Sequence, residues 1–137
     1  MTDEKTINML ISLAKAARAA SYSPYSGISV GAALLTKSGK IYTGANIESA
    51  SYSPTVCAER VAFFKAINDG EREFSAIAVM GGENNEVENQ PFYPCGVCRQ
   101  VMTEFCNEDF LIIVSDNEII TKKTLGELMP NGFTIPR

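Results

Sequence analysis

Ala76-Ile77-Ala78-Val79-Met80 is an unbroken apolar run of strand length, and Leu111-Ile112-Ile113-Val114 repeats the pattern later in the chain. A strand with one wet face alternates apolar and polar residues. A strand covered on both faces has no such need. Both runs therefore predict interior strands of a sheet with helices packed on its two sides. Upstream, Ile28 to Leu35 and Lys40 to Ala45 flank the turn Lys37-Ser38-Gly39-Lys40 and predict a hairpin. Helical spacing at Ile7, Leu10, Ile11, Ala14 and Ala17 predicts an amphipathic helix over 3–20, ended by the Pro- and Gly-containing stretch 21–27. Thr55 to Asn68, Cys95 to Cys106 and Thr124 to Leu128 read as further helices, Phe110 to Ser115 as a strand, and 81–91 as a polar loop. Helix, hairpin, then alternating helix and strand is the order of an α/β fold with a central mixed sheet.

The chain has 137 residues, 45% apolar and 20% charged, with a net charge of −4. That predicts one domain over 1–137, large enough to bury a core without disulfide staples. No basic run is present to neutralise phosphates, and no apolar run is long enough to span a bilayer, so neither nucleic acid nor membrane is an expected partner. Met1-Thr2-Asp3-Glu4-Lys5 lacks the basic start and apolar stretch of a signal peptide. Four cysteines without such a leader fit a cytoplasmic, reducing setting, where close thiols more often mean metal or redox chemistry than disulfides.

Chemistry concentrates in Cys57-Ala58-Glu59-Arg60 and Pro94-Cys95-Gly96-Val97-Cys98. The chain contains no histidine, so a transition-metal site must use thiolate or carboxylate. Three thiolates can hold zinc and leave its fourth position open, the layout of a catalytic site. Cys95 and Cys98, three apart at a helix start, face one way. Cys57 opens another helix, and helix N-termini favour the thiolate form. Cys57 and Glu59 lie two apart and would face opposite sides of a regular helix. They converge only if the metal lies beyond the helix end, where Glu59 is placed to move protons. Cys106 is excluded as a fourth ligand. It sits eight residues beyond Cys98, a rise of about 12 Å along a helix, against a sulfur separation of at most about 4.6 Å around one zinc. Arg60 is the candidate to offset the charge of the sulfurs from beside them. A thiol–disulfide exchange site at Cys95-Gly96-Val97-Cys98 is the redox alternative, but it leaves Cys57 and Glu59 without a task.

A ligand-x-Glu segment followed by Pro-Cys-x-x-Cys is the signature of the zinc nucleobase deaminases. With Ser23-Pro24-Tyr25-Ser26, Val30-Gly31-Ala32-Ala33-Leu34, Asn46-Ile47-Glu48, Ala50-Ser51-Tyr52 and Arg99-Gln100, the chain resembles the small, homotetrameric, all-cysteine cytidine deaminases along nearly its whole length. The resemblance implies a three-layer α/β/α fold with about five strands. It implies one zinc per chain on Cys57, Cys95 and Cys98, hydrolytic deamination of cytidine or deoxycytidine through Glu59, and active sites completed by neighbouring subunits. It places Asn46 and Glu48 on the ribose hydroxyls, Ala58 and Ile28 at the base and Phe133 at a neighbour's site. Ile28 stands where the family usually carries Phe and supplies apolar contact without an aromatic face. The C-terminus also resembles blasticidin S deaminase, whereas Arg60 and Asn46-Ile47-Glu48 favour a nucleoside.

Overall fold

A computed structural model describes residues 2–84, 91–116 and 118–137. The elements run α1 (Glu4–Ala17, continued by a 3-10 turn over Arg18–Ala20), β1 (Ile28–Thr36), β2 (Ile41–Ala45), α2 (Ala58–Asn68), β3 (Phe74–Glu83), α3 (Gly96–Phe105), β4 (Leu111–Asp116), β5 (Ile119–Thr124) and α4 (Leu125–Leu128). The strands form one mixed sheet in the order β2-β1-β3-β4-β5, with β3 and β4 parallel and the other pairs antiparallel.

Alternation along the central strands sends successive side chains into two cores. Ala33, Ala76, Ala78, Met80 and Ile113 meet Ile7, Leu10, Ile11 and Ala14 of α1 on one face. Ala32, Leu34, Ile77, Val79, Ile112 and Val114 meet Ala58, Ala62, Phe63 and Ala66 of α2 and Met102 of α3 on the other. The result is a three-layer α/β/α arrangement, and the continuous apolar runs of β3 and β4 are its direct consequence. Asp3 caps α1 by accepting from the Thr6 N–H at 2.9 Å.

Two devices fix the helices that matter for the site. Phe63 of α2 packs edge-on to Phe74 at 5.0 Å, stacks on Phe105 at 6.4 Å and meets Phe110 at 5.9 Å. One ring thus ties α2 to β3, to α3 and to the entry of β4. Truncating such a buried ring costs about 3–5 kcal/mol. Gly44 supplies the second device. A side-chain carbon there would lie 2.6 Å from the Ala58 carbonyl oxygen and 2.7 Å from the Ala62 nitrogen. Only glycine lets the first turn of α2 sit directly against β2.

Three details differ from the sequence expectation. β5 is absent from the sequence reading because Ile119-Ile120-Thr121-Lys122-Lys123-Thr124 is an exposed edge strand, carrying lysines rather than a core pattern. β3 continues through Gly81 and Gly82 to Glu83, where a loop was expected. The rest of that expected loop includes 85–90, which lie outside the described residues. Finally, α2 and α3 begin at Ala58 and Gly96, so Cys57 and Cys95 are the capping residues just outside them.

Candidate active site

Cys57 and Cys95 occupy equivalent positions, each an extended residue (φ −76°, ψ 155° and φ −69°, ψ 170°) from which a helix departs. Neither side chain caps its own helix, so both sulfurs are free to face one another across the two helix ends. Cys57 Sγ lies 3.8 Å from Cys95 Sγ, and Cys95 Sγ lies 3.6 Å from Cys98 Sγ. All three sulfurs fall within 4.8 Å of one another. Sulfurs bound tetrahedrally at about 2.3 Å from zinc stand about 3.8 Å apart. The donor set is therefore the size and chemistry of a zinc site, and it fits one zinc per chain.

The surroundings are built for negative sulfur. Arg60, in the first turn of α2, donates to Cys57 Sγ at 3.6 Å and to the Thr55 carbonyl at 3.5 Å. Its Nε is buried with no hydrogen-bond partner, a cost that nearby thiolate charge offsets. A hydrogen bond from Cys98, opposed by burial and aided by Arg60, lowers Cys57 to about 5. The same hydrogen bond and burial push Cys98 up. Cys106 lies at the far end of α3, where burial and Asp109 push its thiol up to about 12. It is an inert packing residue.

Glu59 sits one residue into the first turn of α2 and is only 4% exposed. Burial, then the neighbouring Cys57 charge, raises its carboxyl to about 7. Cys57 and Glu59 line the same cavity of about 190 Å³, because Cys57 precedes the helix rather than standing on its flank. That cavity also holds Cys95, Ala58, Asn46 and Glu48, with Val30, Val56, Val79 and Phe92 as apolar walls. It adjoins a second hollow of about 350 Å³ through Glu48 and Thr55, which line both. A larger hollow of about 490 Å³ beside Lys15, Arg18 and Tyr22 contains neither the cysteines nor Glu59, so chemistry rather than size singles out the smaller one.

Asn46 and Glu48 work first as clamps. Asn46 Oδ1 accepts from Ser21 Oγ at 2.6 Å and from the Val30 N–H at 2.8 Å, while its Nδ2 donates to the Ile28 carbonyl at 2.9 Å. These bonds tie the stretch after β2 to the start of β1. The amide keeps one further hydrogen to offer. Glu48 accepts from the Tyr25 and Ser26 N–H groups and from Ser26 Oγ, and the Ser26 bonds hold it below the ordinary carboxylate range. A carboxylate with two oxygens can still accept from a hydroxyl.

Two residues named by the resemblance do not line this chain's own cavity, which for Phe133, expected at a neighbouring subunit's site, is no contradiction. Ile28 shares the face of Val30 by alternation, yet the β1 contribution to the cavity is Val30. Phe133 is 65% exposed and away from this cavity, its carbonyl accepting from Gln100 Nε2 at 3.0 Å. The walls Val30, Val56, Val79 and Phe92 were not legible in the sequence, since an apolar residue in an apolar element carries no chemical mark. Arg99, also not singled out, braces the sulfur-bearing turn by donating to the Pro94 and Leu128 carbonyls, each at 2.7 Å.

Residues 4–114 match the family model for the cytidine and deoxycytidylate deaminase zinc-binding region. The chain is 45% identical over 129 residues to a cytidine deaminase of Sporosarcina psychrophila, covering 93% of this chain and 91% of that one. It is 47% identical over 127 residues to a cytidine deaminase of Halalkalibacterium halodurans, covering 92% of each. A crystal structure of cytidine deaminase from Burkholderia pseudomallei superposes with a TM-score of 0.84 at 43% identity, covering 92% of this chain and 98% of that one. With a zinc-sized thiolate cluster and a buried glutamate at two helix ends, and matches of this extent, the chain belongs to the cytidine and deoxycytidylate deaminase zinc-binding family.

Proposed function

We infer that this chain hydrolyses cytidine or deoxycytidine to the corresponding uridine and ammonia. The observation that carries the reading is a cluster of three sulfurs at two helix ends, two of which line one cavity together with a buried carboxyl. Cys57, Cys95 and Cys98 would hold zinc, which would supply the Lewis acidity that brings the pKa of water toward neutrality. Glu59 is placed to accept a proton from a water in the cavity and deliver it to ring N3, which makes C4 electrophilic. The oxygen adds to C4. Glu59 then takes the second proton, from the hydroxyl now on C4, and passes it to the exocyclic amino group, so that the C4–N bond breaks, ammonia departs and the C4=O bond forms. One water is consumed, and its oxygen remains on C4 of the uridine. Burial supports the shuttle, because it raises the proton affinity of Glu59 and keeps bulk water away.

The remaining residues position the substrate. Arg60 offsets sulfur charge. Asn46 offers its remaining hydrogen, and Glu48 its remaining acceptor capacity, to the sugar hydroxyls at the junction of the two hollows. Ala58 and Val30 line the base cavity, with Ile28 one repeat further along β1. The whole chain, 1–137, acts as one domain and assembles as a cytoplasmic homotetramer. Exposed Tyr25, Tyr52 and Phe133 support the assembly, since each leaves an aromatic surface for a neighbour. No helix among the described residues is long and apolar enough to cross a membrane.

A spectrophotometric panel of cytidine, deoxycytidine, cytosine, adenosine, guanine and blasticidin S tests the reading. Zinc-loaded protein should deaminate cytidine or deoxycytidine in preference to the others. Turnover of blasticidin S alone would move the substrate class. No turnover of any substrate would leave the zinc a structural role.

A further inference from the structure

The base cavity has one well-seated aromatic wall, and it comes from the segment before the second cysteine pair. Phe92 lines the cavity with Val30 and Val79 and is half-buried against the α2–α3 core. Its seat is Gly81 of β3. A side-chain carbon at Gly81 would lie 2.8 Å from Phe92 Cγ and 3.0 Å from both Cδ1 and Cδ2. Near-equal distances to three adjacent ring atoms mean that the ring lies face-on over the strand. Glycine is the residue that permits this approach. One face of the ring is thus covered by β3, so only its other face or its rim is left to line the cavity. A ring held by backbone contact is pre-organised and loses little freedom when a flat ligand packs on it. Tyr93 also lines the cavity but is more exposed, toward the mouth.

We propose that Phe92, seated on Gly81, is the stacking wall for the pyrimidine ring and a substrate-positioning residue of this enzyme. The inference rests on the deaminase reading above. Base–aromatic stacking is flat-on, tolerant of the sugar and exerted on the bound base, so its loss appears in KM and in product affinity more than in kcat.

The test compares zinc-loaded wild type with Phe92→Leu, Phe92→Tyr, Tyr93→Leu and Gly81→Ala. Deamination kinetics are measured on cytidine and deoxycytidine, uridine binding by calorimetry, and zinc by elemental analysis. Phe92→Leu should raise KM and weaken uridine binding about tenfold, with zinc content unchanged and kcat within about threefold. Phe92→Tyr should restore both. Gly81→Ala should reproduce the Phe92→Leu defect by unseating the ring, and should add nothing further in the Phe92→Leu background. An active wild type whose KM and uridine affinity survive both Phe92→Leu and Gly81→Ala overturns this inference alone. So does a defect confined to kcat or zinc content, or a tenfold KM effect from Tyr93→Leu in its place. A zinc-loaded wild type inactive on both nucleosides overturns the deaminase reading and this inference with it.

Discussion

The floor of the site and its rim are built on different principles. The floor consists of Cys57, Ala58, Glu59 and Cys95, with Cys98 beside them, at two helix ends. Its helices are pinned by one aromatic cluster, and its acid is 4% exposed. The rim consists of the 22–27 stretch and the segment after Asn46. It is held by side-chain hydrogen bonds from Asn46 and Glu48 and shows Tyr25 at 57% and Tyr52 at 80% exposure. Apolar packing fixes atoms to fractions of an ångström and excludes water, which proton transfer and metal binding require. Hydrogen-bonded loops suit the recognition of a polar sugar and leave surface for another subunit. One chain therefore carries a tightly packed centre of sulfurs and a buried carboxyl beside a more exposed, hydrogen-bonded rim.

The sharpest way to break this contrast is to remove the floor. Cys57→Ser, Cys95→Ser and Cys98→Ser should each lose zinc by elemental analysis and with it all measurable deamination, while Cys106→Ser keeps both. Loss of metal in Cys106→Ser with retention in Cys57→Ser would mean a different site. A smaller effect is expected on the rim. Glu48→Gln removes the charged acceptor and should raise KM for cytidine about tenfold with zinc unchanged; an unchanged KM would detach Glu48 from the sugar. Smaller again, Phe133→Ala should raise KM a few-fold, about the loss of one aromatic contact, with zinc content unaltered. Sedimentation showing a fully active monomer would remove the shared-site account.

The smallest effect is a pH dependence confined to the rim. Glu48 is held below its ordinary 4.5 by Ser26, so its hold on the loop is fully present above that value and is lost as the carboxylate protonates at lower pH. Hydrogen exchange at the Tyr25 and Ser26 amides, relative to Glu48→Gln, should show extra protection above about pH 5 that fades toward pH 3. Core amides of β3 should not follow. A wild type and Glu48→Gln alike across this range would show that the carboxylate does not hold the loop.

What could be read from the sequence follows the same division. The runs in β3 and β4 announced buried strands because both faces are apolar, and the cysteine and glutamate spacings announced the floor because few chemistries use those residues together. β5 escaped, since its lysines and exposed isoleucines carry an edge strand's pattern. Gly81 and Gly82 looked like loop residues. In the structure they are strand positions that let Phe92 and the Arg18 guanidinium approach, the latter 3.1 Å from a side-chain carbon placed at Gly82. Asn46 carries a backbone clamp that no local pattern signals, because its partners Ser21, Ile28 and Val30 lie 16 to 25 residues away.

The central claim is a division of labour in which the sulfurs hold the metal and Glu59 alone moves the protons. Glu59→Gln preserves size and folding but cannot cycle a proton. Measured together, its zinc content should equal that of the wild type while deamination of cytidine falls by more than the ~10²–10⁴ of a single acid–base step, because several proton transfers share this one group. Near-normal deamination by the zinc-loaded Glu59→Gln protein would contradict the account.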